Sequence, residues 1–199
     1  MPRLIPAVLP EGTFRDHPQP RLTTGDAWIL RPWQRGDAAA PASAYDDPAI
    51  RYWHHRTMSP DEAADWVADA ARRWVDETDG EWAVVDGHEV LGRVALRSVD
   101  LTIGQGEISY WTLPHARQRG VASAAVERLA AWALEEVGFW RLEVRHSTHN
   151  PGSCRVASRA GFVQEARLTS QHIHEDGWHD VHVHGRLRSS RDGRHADRT

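Results

Sequence analysis

The chain has no lysine: all 24 of its Lys/Arg positions are arginine. No lysine amine is therefore present to form a Schiff base. Cysteine is nearly absent as well. Cys154 stands alone, which excludes an internal disulfide and makes a cytoplasmic location the expectation. Long apolar runs are missing. None approaches the roughly 18 residues of a membrane span, and the N-terminus lacks a charged segment followed by an apolar stretch and a small-residue cleavage site. No membrane partner and no export signal are expected. Excess positive charge is missing too. A net charge of −4 and a pI near 6.3 give no footing for a nucleic-acid partner.

What is present reads as a globular domain. At 199 residues with 40% hydrophobic content, the chain is long enough to bury a substantial core. Its charge is uneven. Residues 37–90 hold 13 Asp/Glu against 4 Arg, whereas residues 91–170 hold 7 against 10. The first segment suits either a cationic acceptor such as an amine or simply a solvated acidic helix, the second an anionic cofactor.

Residues 1–22 carry Pro2, Pro6, Pro10, Pro18 and Pro20 and read as an extended N-terminal arm. Trp28–Pro32 reads as a short strand, and Gly36-Asp37 starts an Ala-rich helix. Ser59-Pro60-Asp61-Glu62 places Ser at N-cap, Pro at N1 and Glu at N3 of a helix running to about Asp76. Strands follow at Glu81–Val85 and Val90–Leu96 around Asp86-Gly87, and at Glu107–Leu113. A helix from Arg119 stops at Gly138. Leu142–Arg145 is a strand, Asn150–Ala160 a helix, and Phe162–Ile173 with His179–Leu187 a closing hairpin. Residues 23–187 read as one domain and 188–199 as a polar, disordered tail.

The most informative stretch is Arg117-Gln118-Arg119-Gly120-Val121-Ala122, which opens a helix directly after a strand. The first N–H groups of a helix have no intrahelical partner, and the helix dipole adds partial positive charge there. Gly120 and Ala122 keep side chains clear of an approaching pyrophosphate. A second helix opens at Asn150-Pro151-Gly152-Ser153.

These residues resemble the GNAT N-acetyltransferases. Arg117-x-x-Gly120-x-Ala122 is similar to the acetyl-CoA pyrophosphate loop of that superfamily, with Ala122 where many relatives have Gly. Asn150-x-x-Ser153 with Val156 and Gly161-Phe162 resembles its second cofactor helix. Leu30-Arg31-Pro32-Trp33 with Asp37, Asp47-Pro48-x-Ile50, and Gly177-Trp178-His179-Asp180 resemble the RimJ/RimL-like branch. The resemblance implies an α/β (α+β) fold. Its central mixed, mostly antiparallel sheet would be flanked by helices and splayed between strands four and five, with acetyl-CoA in the gap. It also implies a bulged fourth strand whose free backbone at Trp111, Thr112 and Leu113 meets the pantetheine arm. The pyrophosphate would lie on N–H groups from Gln118 to Ser123, across Arg119, Gly120, Val121 and Ala122. Asn150 would contact the pantetheine, and Ser153 would lie near the thioester sulfur.

The implied reaction is direct attack of an amine on the acetyl thioester. Amines are mostly protonated at pH 7, so a base is needed. Glu107, on the fourth strand near the gap, is the candidate, and Ser153 is the candidate proton donor to the departing thiolate. Trp53 and His54 fall between the early helices where such folds form the acceptor site, and His172 and His179 are candidate pocket residues. Adjacent strands could gather three of His172, His174, His179, His182 and His184 as a zinc site, but without a His-Glu-x-x-His motif or a cysteine pair no metal is expected. The acceptor would be a protein N-terminal amine or a small amine. The arm and the apolar strands would suit a homodimer. The alternative to an enzyme is a non-catalytic acyl-CoA-binding sensor.

Overall fold

The computed structural model describes residues 6–25 and 28–189. Eight strands form one sheet: β1 (Leu22–Thr24), β2 (Trp28–Pro32), β3 (Gly80–Asp86), β4 (Glu89–Asp100), β5 (Gln105–Thr112), β6 (Arg141–Ser147), β7 (Val163–His174) and β8 (Gly177–Leu187). Their order is β1-β2-β3-β4-β5-β6-β8-β7. Every neighbouring pair is antiparallel except β5 with β6. Five α-helices cover the sheet: α1 (Ala39–Asp46), α2 (Pro48–His54), α3 (Pro60–Val75), α4 (Val121–Ala131) and α5 (Pro151–Arg159).

The helix signals act as their chemistry requires. Ser59 and Glu62 form a reciprocal capping box at the start of α3, with Pro60 inside the first turn. α4 runs on into a π-helical turn, Trp132–Val137, and ends at Gly138, whose φ of 104° is open to glycine at little cost. Two elements escape the sequence reading. β1 is only three residues long. α2 has no counterpart in the sequence reading, which leaves Trp53 and His54 between helices, although Asp47 caps it by accepting the Ile50 N–H at 3.0 Å and Pro48 sits in its first turn. Trp53 and His54 consequently lie in the last turn of a helix.

The two faces of the sheet bury separate clusters. Trp82, Val94, Leu96, Ile108 and Val144 pack under α4 and α5. Ala83, Val85 and Trp111 pack under α1, α2 and α3. On the second face Arg93 holds Glu81 through two hydrogen bonds, 2.6 and 2.7 Å, with both side chains buried. Arg31 grips Asp37 in the same manner, at 2.6 and 2.8 Å. The Leu30-Arg31-Pro32-Trp33…Asp37 pattern is thus a structural clasp.

The segment read as an extended arm departs from that expectation. From Leu9 onward it is folded into the first cluster. Phe14 is 1% exposed and stacks on Trp74 with ring centroids 4.5 Å apart. The Glu77 carboxylate accepts the N–H groups of Gly12 and Phe14. Trp74 and Trp82 donate their indole N–H groups to the carbonyls of His17 and Pro20. Prolines bend this segment, but a buried aromatic and two indole donors fix it. At the other end, Arg188 donates its backbone N–H to the Trp140 carbonyl and lays its guanidinium over the Trp140 ring. Residues 1–5 of the expected arm and 190–199 of the expected tail lie outside the described residues.

Candidate active site

The sheet comes apart between β5 and β6. Their parallel pairing covers only Gln105–Glu107 against Arg141–Glu143. Beyond it β5 continues to Thr112 against β4 alone, and β6 continues to Ser147 against β8 alone. Because β1 adds one strand at the start, this is the split expected between strands four and five. The backbone of β5 that faces the split lacks a strand partner, and buried N–H and C=O groups need one. One of them, the Tyr110 carbonyl, lies 3.2 Å from His54 Nε2. A carbonyl only accepts, so that nitrogen carries the proton.

The expected bulge at Trp111–Leu113 is absent. The β4–β5 register is continuous from Gly92↔Thr112 to Arg97↔Glu107. The Leu113 N–H is already bonded to the Leu91 carbonyl at 2.9 Å. In an antiparallel pair the bonding direction alternates. That alternation turns Trp111 and Leu113 toward β4 and leaves Tyr110 and Thr112 facing the split. The Trp111 side chain is 4% exposed and packs near Trp33.

Side chains on β5 alternate between the two faces. Glu107, Ser109 and Trp111 share the α1–α3 face, while Ile108 and Tyr110 share the α4–α5 face. Glu107 sits at the last paired position, opposite Glu143. Its carboxylate makes no hydrogen bond or ion pair among the described residues. Burial raises its pKa above the usual value. Arg97 and Arg145 oppose that rise, and Glu143 adds to it. Tyr110, from the other face, directs its hydroxyl to the Ser153 carbonyl at 3.4 Å, and burial pushes its pKa up to about 12.

Two helix starts converge on the split. α4 begins after Gln118 (φ 61°) and Gly120 (φ 85°), both left-handed, and no side chain caps it. The first helical bond runs from the Ala124 N–H to the Gly120 carbonyl, at 3.1 Å. The N–H groups of Gly120, Val121, Ala122 and Ser123 therefore precede the ladder, as an anion site requires. A Cβ at Gly120 would meet nothing within 4 Å, so the approach to them is open. The two arginines are partly committed: Arg117 pairs with Asp47, the cap of α2, and Arg119 reaches Asp86 at 3.4 Å. α5 is capped by Asn150, whose Oδ1 accepts the Ser153 N–H at 3.0 Å. Ser153 Oγ makes no hydrogen bond among the described residues.

The expected pocket residues gather around Tyr52, which sequence reading did not single out. Its hydroxyl donates to Asp176 at 2.7 Å in the β7–β8 turn, tying α2 to that hairpin. Trp53 and His174 pack against it, and His172 and His174 lie on the same strand face. His179 is 4% exposed, between Ser147 Oγ at 2.7 Å and Asp176 Oδ1 at 2.9 Å. The structure thus brings Trp53, His172 and His179 together. His54 instead turns to β5, and burial, with Arg93 beside it, lowers its pKa to about 4.

The sequence of residues 28–163 matches the family model described as an acetyltransferase (GNAT) domain. The chain is a member of the GNAT acetyltransferase family. Among curated relatives it is 26% identical over 101 residues to the putative ribosomal N-acetyltransferase YdaF of Bacillus subtilis. That alignment covers 51% of this chain and 55% of the relative. It is 25% identical over 99 residues to the ribosomal-protein-serine acetyltransferase of Escherichia coli, covering 50% and 55%. The chain spans about half the length of the curated relatives it matches. Both names belong to the branch that the sequence motifs resemble. Among solved structures, RimL, described as a ribosomal L7/L12 alpha-N-protein acetyltransferase in complex with coenzyme A, superposes with a TM-score of 0.77 at 16% identity. The superposition covers 84% of this chain and 98% of that one. The GNAT fold, with its mixed sheet opened at one strand pair, is therefore the fold of this chain. Among the described residues no helix is long and apolar enough to cross a membrane.

Proposed function

We propose that this chain transfers the acetyl group of acetyl-CoA directly to a primary amine, a protein N-terminal amine or a small amine. The observation that carries the reading is the split of β5 from β6 at Glu107, with an uncapped helix start on α4 beside it. Backbone N–H groups from Gln118 to Ser123 hold the pyrophosphate. The split holds the pantetheine arm, with the Tyr110 N–H and the Thr112 N–H and carbonyl offering the backbone groups that the strand pairing and His54 leave over. The acetyl thioester lies by Ser153.

The acceptor enters from the face of Trp53, His172 and His179. Glu107 takes its ammonium proton through water, which frees the nitrogen lone pair. The nitrogen attacks the carbonyl carbon, the C–S bond breaks, and the departing thiolate takes a proton from Ser153, whose hydroxyl is restored through water by the surplus proton of the newly acylated nitrogen. Base and donor stand on opposite faces of one strand, so proton uptake and proton delivery do not compete for the same space. A carboxyl whose pKa burial raises suits this base, because its proton affinity approaches that of the amine it serves. A cytoplasmic setting without nucleic acid belongs to the same proposal.

Free-thiol release from acetyl-CoA across a panel of N-terminal peptides and small amines tests it. Saturable release with one acceptor class is expected. Failure to bind coenzyme A at all would overturn the reading.

A further inference from the structure

The sheet sorts its histidines onto two faces, and the two groups differ in how their nitrogens are used. On the α1–α3 face, His149, Asp176 and His179 lie close enough to share an ion. Both His179 nitrogens are spent, however, on Ser147 and Asp176. On the α4–α5 face, His146 of β6 stands directly opposite His182 of β8, with His184 one pleat along. Cys154, in the first turn of α5, closes over them. One nitrogen from each of the three histidines and the Cys154 sulfur all lie within 4.8 Å of one another.

Two nitrogens of this group have no hydrogen-bond partner among the described residues: the Nδ1 atoms of His182 and His184, both buried. His184 is 1% exposed, so the deficit is a costly one. His146 Nδ1 lies 2.8 Å from the Ser147 carbonyl, which only accepts, so the proton is on Nδ1 and Nε2 presents its lone pair inward. A ring N–H anchored on a backbone carbonyl, with the other nitrogen free, is the arrangement that metal-ligating histidines adopt. His146 Nε2 and His184 Nε2 approach to 3.1 Å, within hydrogen-bond range and a little under the roughly 3.4 Å that bonds of about 2.1 Å impose between ligands in a tetrahedron.

We propose that His146, Cys154, His182 and His184 form a closed, four-ligand site for a zinc-class transition metal ion. Three imidazoles and one thiolate suit zinc, whereas hard cations prefer oxygen. With four protein ligands no position is left for a reacting water, so the metal is structural. It joins β6, β8 and α5 and fixes the helix turn that carries Ser153. On binding, the Cys154 thiol gives up its proton to bulk water. The sequence reading expected no metal for want of a His-Glu-x-x-His motif or a cysteine pair; these ligands come from two strands and a helix with no shared spacing.

Zinc chloride titrated into the demetallated full chain tests the site by calorimetry, with cobalt(II) as the optical probe. One equivalent is expected to bind. Cobalt should show intense tetrahedral d–d absorption and a thiolate charge-transfer band that Cys154→Ser removes. Free zinc at about 100 times its Kd should raise Tm by roughly 5–10 °C. His184→Gln should abolish stoichiometric binding, whereas His149→Gln should not. Wild-type protein that binds no zinc, or binds cobalt without the thiolate band, would overturn the proposal. So would loss of binding in His149→Gln with retention in His184→Gln.

Discussion

At the residue scale, the proposed mechanism gives proton delivery to the hydroxyl of Ser153 and a supporting place to Tyr110. Tyr110 keeps its proton at any physiological pH, since burial holds its pKa near 12, but its hydroxyl faces the Ser153 carbonyl. Ser153→Ala is therefore expected to lower kcat by roughly 10²-fold with little change in the Kd of coenzyme A. Tyr110→Phe should cost much less. Comparable rates for wild type and Ser153→Ala would remove the donor role. A second residue-level prediction concerns acid stability. His54 takes a proton near 6.5 in the unfolded chain but only near 4 when folded. Between those values the unfolded state binds more protons, so stability falls as pH drops through that window. His54→Gln keeps a donor for the Tyr110 carbonyl and should flatten the fall, read as urea midpoints from pH 6.5 to 4. Some slope should remain, because burial also lowers the pKa of His172.

At the element scale, the helix starts were legible in the sequence and the pairings between elements were not. Ser59-Pro60-Asp61-Glu62 and Asn150-Pro151-Gly152-Ser153 announce α3 and α5 because capping is local chemistry. The Asp47-Pro48 start of α2 carried the same signal and was overlooked, since seven residues leave little periodicity to read. The absent bulge at Trp111 and the pairing of Arg117 with Asp47 depend on register and on a contact 70 positions apart, which no local pattern encodes. Asp47 serves two elements: it caps α2 and holds the arginine of the α4 loop. Asp47→Ala is expected to cost about 1–2 kcal/mol, whereas Asp47→Asn, which can still cap, should cost less. Equal losses for the two, measured by urea denaturation, would contradict the capping role.

At the scale of the whole molecule, the N-terminal segment is part of the core. Proline content made it look like an arm, but Phe14 stacks on Trp74 beneath the sheet. Phe14→Ala should cost roughly 3–5 kcal/mol and lower Tm, although Phe14 touches nothing in the active site; a surface arm would lose almost nothing. The position of Glu107 also becomes clear only at this scale. Sequence placed it on a strand near a gap. The fold sets it at the last residue pair before the sheet opens, on the face opposite Tyr110. Burial there, between Arg97 and Arg145, lifts its pKa. The most direct measurement is the pH–rate profile of Glu107→Gln beside wild type, with the Kd of coenzyme A measured on both. The account predicts a fall in kcat of roughly 10²–10⁴-fold and an unchanged Kd. It also predicts loss of the acid limb that wild type shows above the ordinary carboxylate range. Wild-type kcat and an intact acid limb in Glu107→Gln would contradict it.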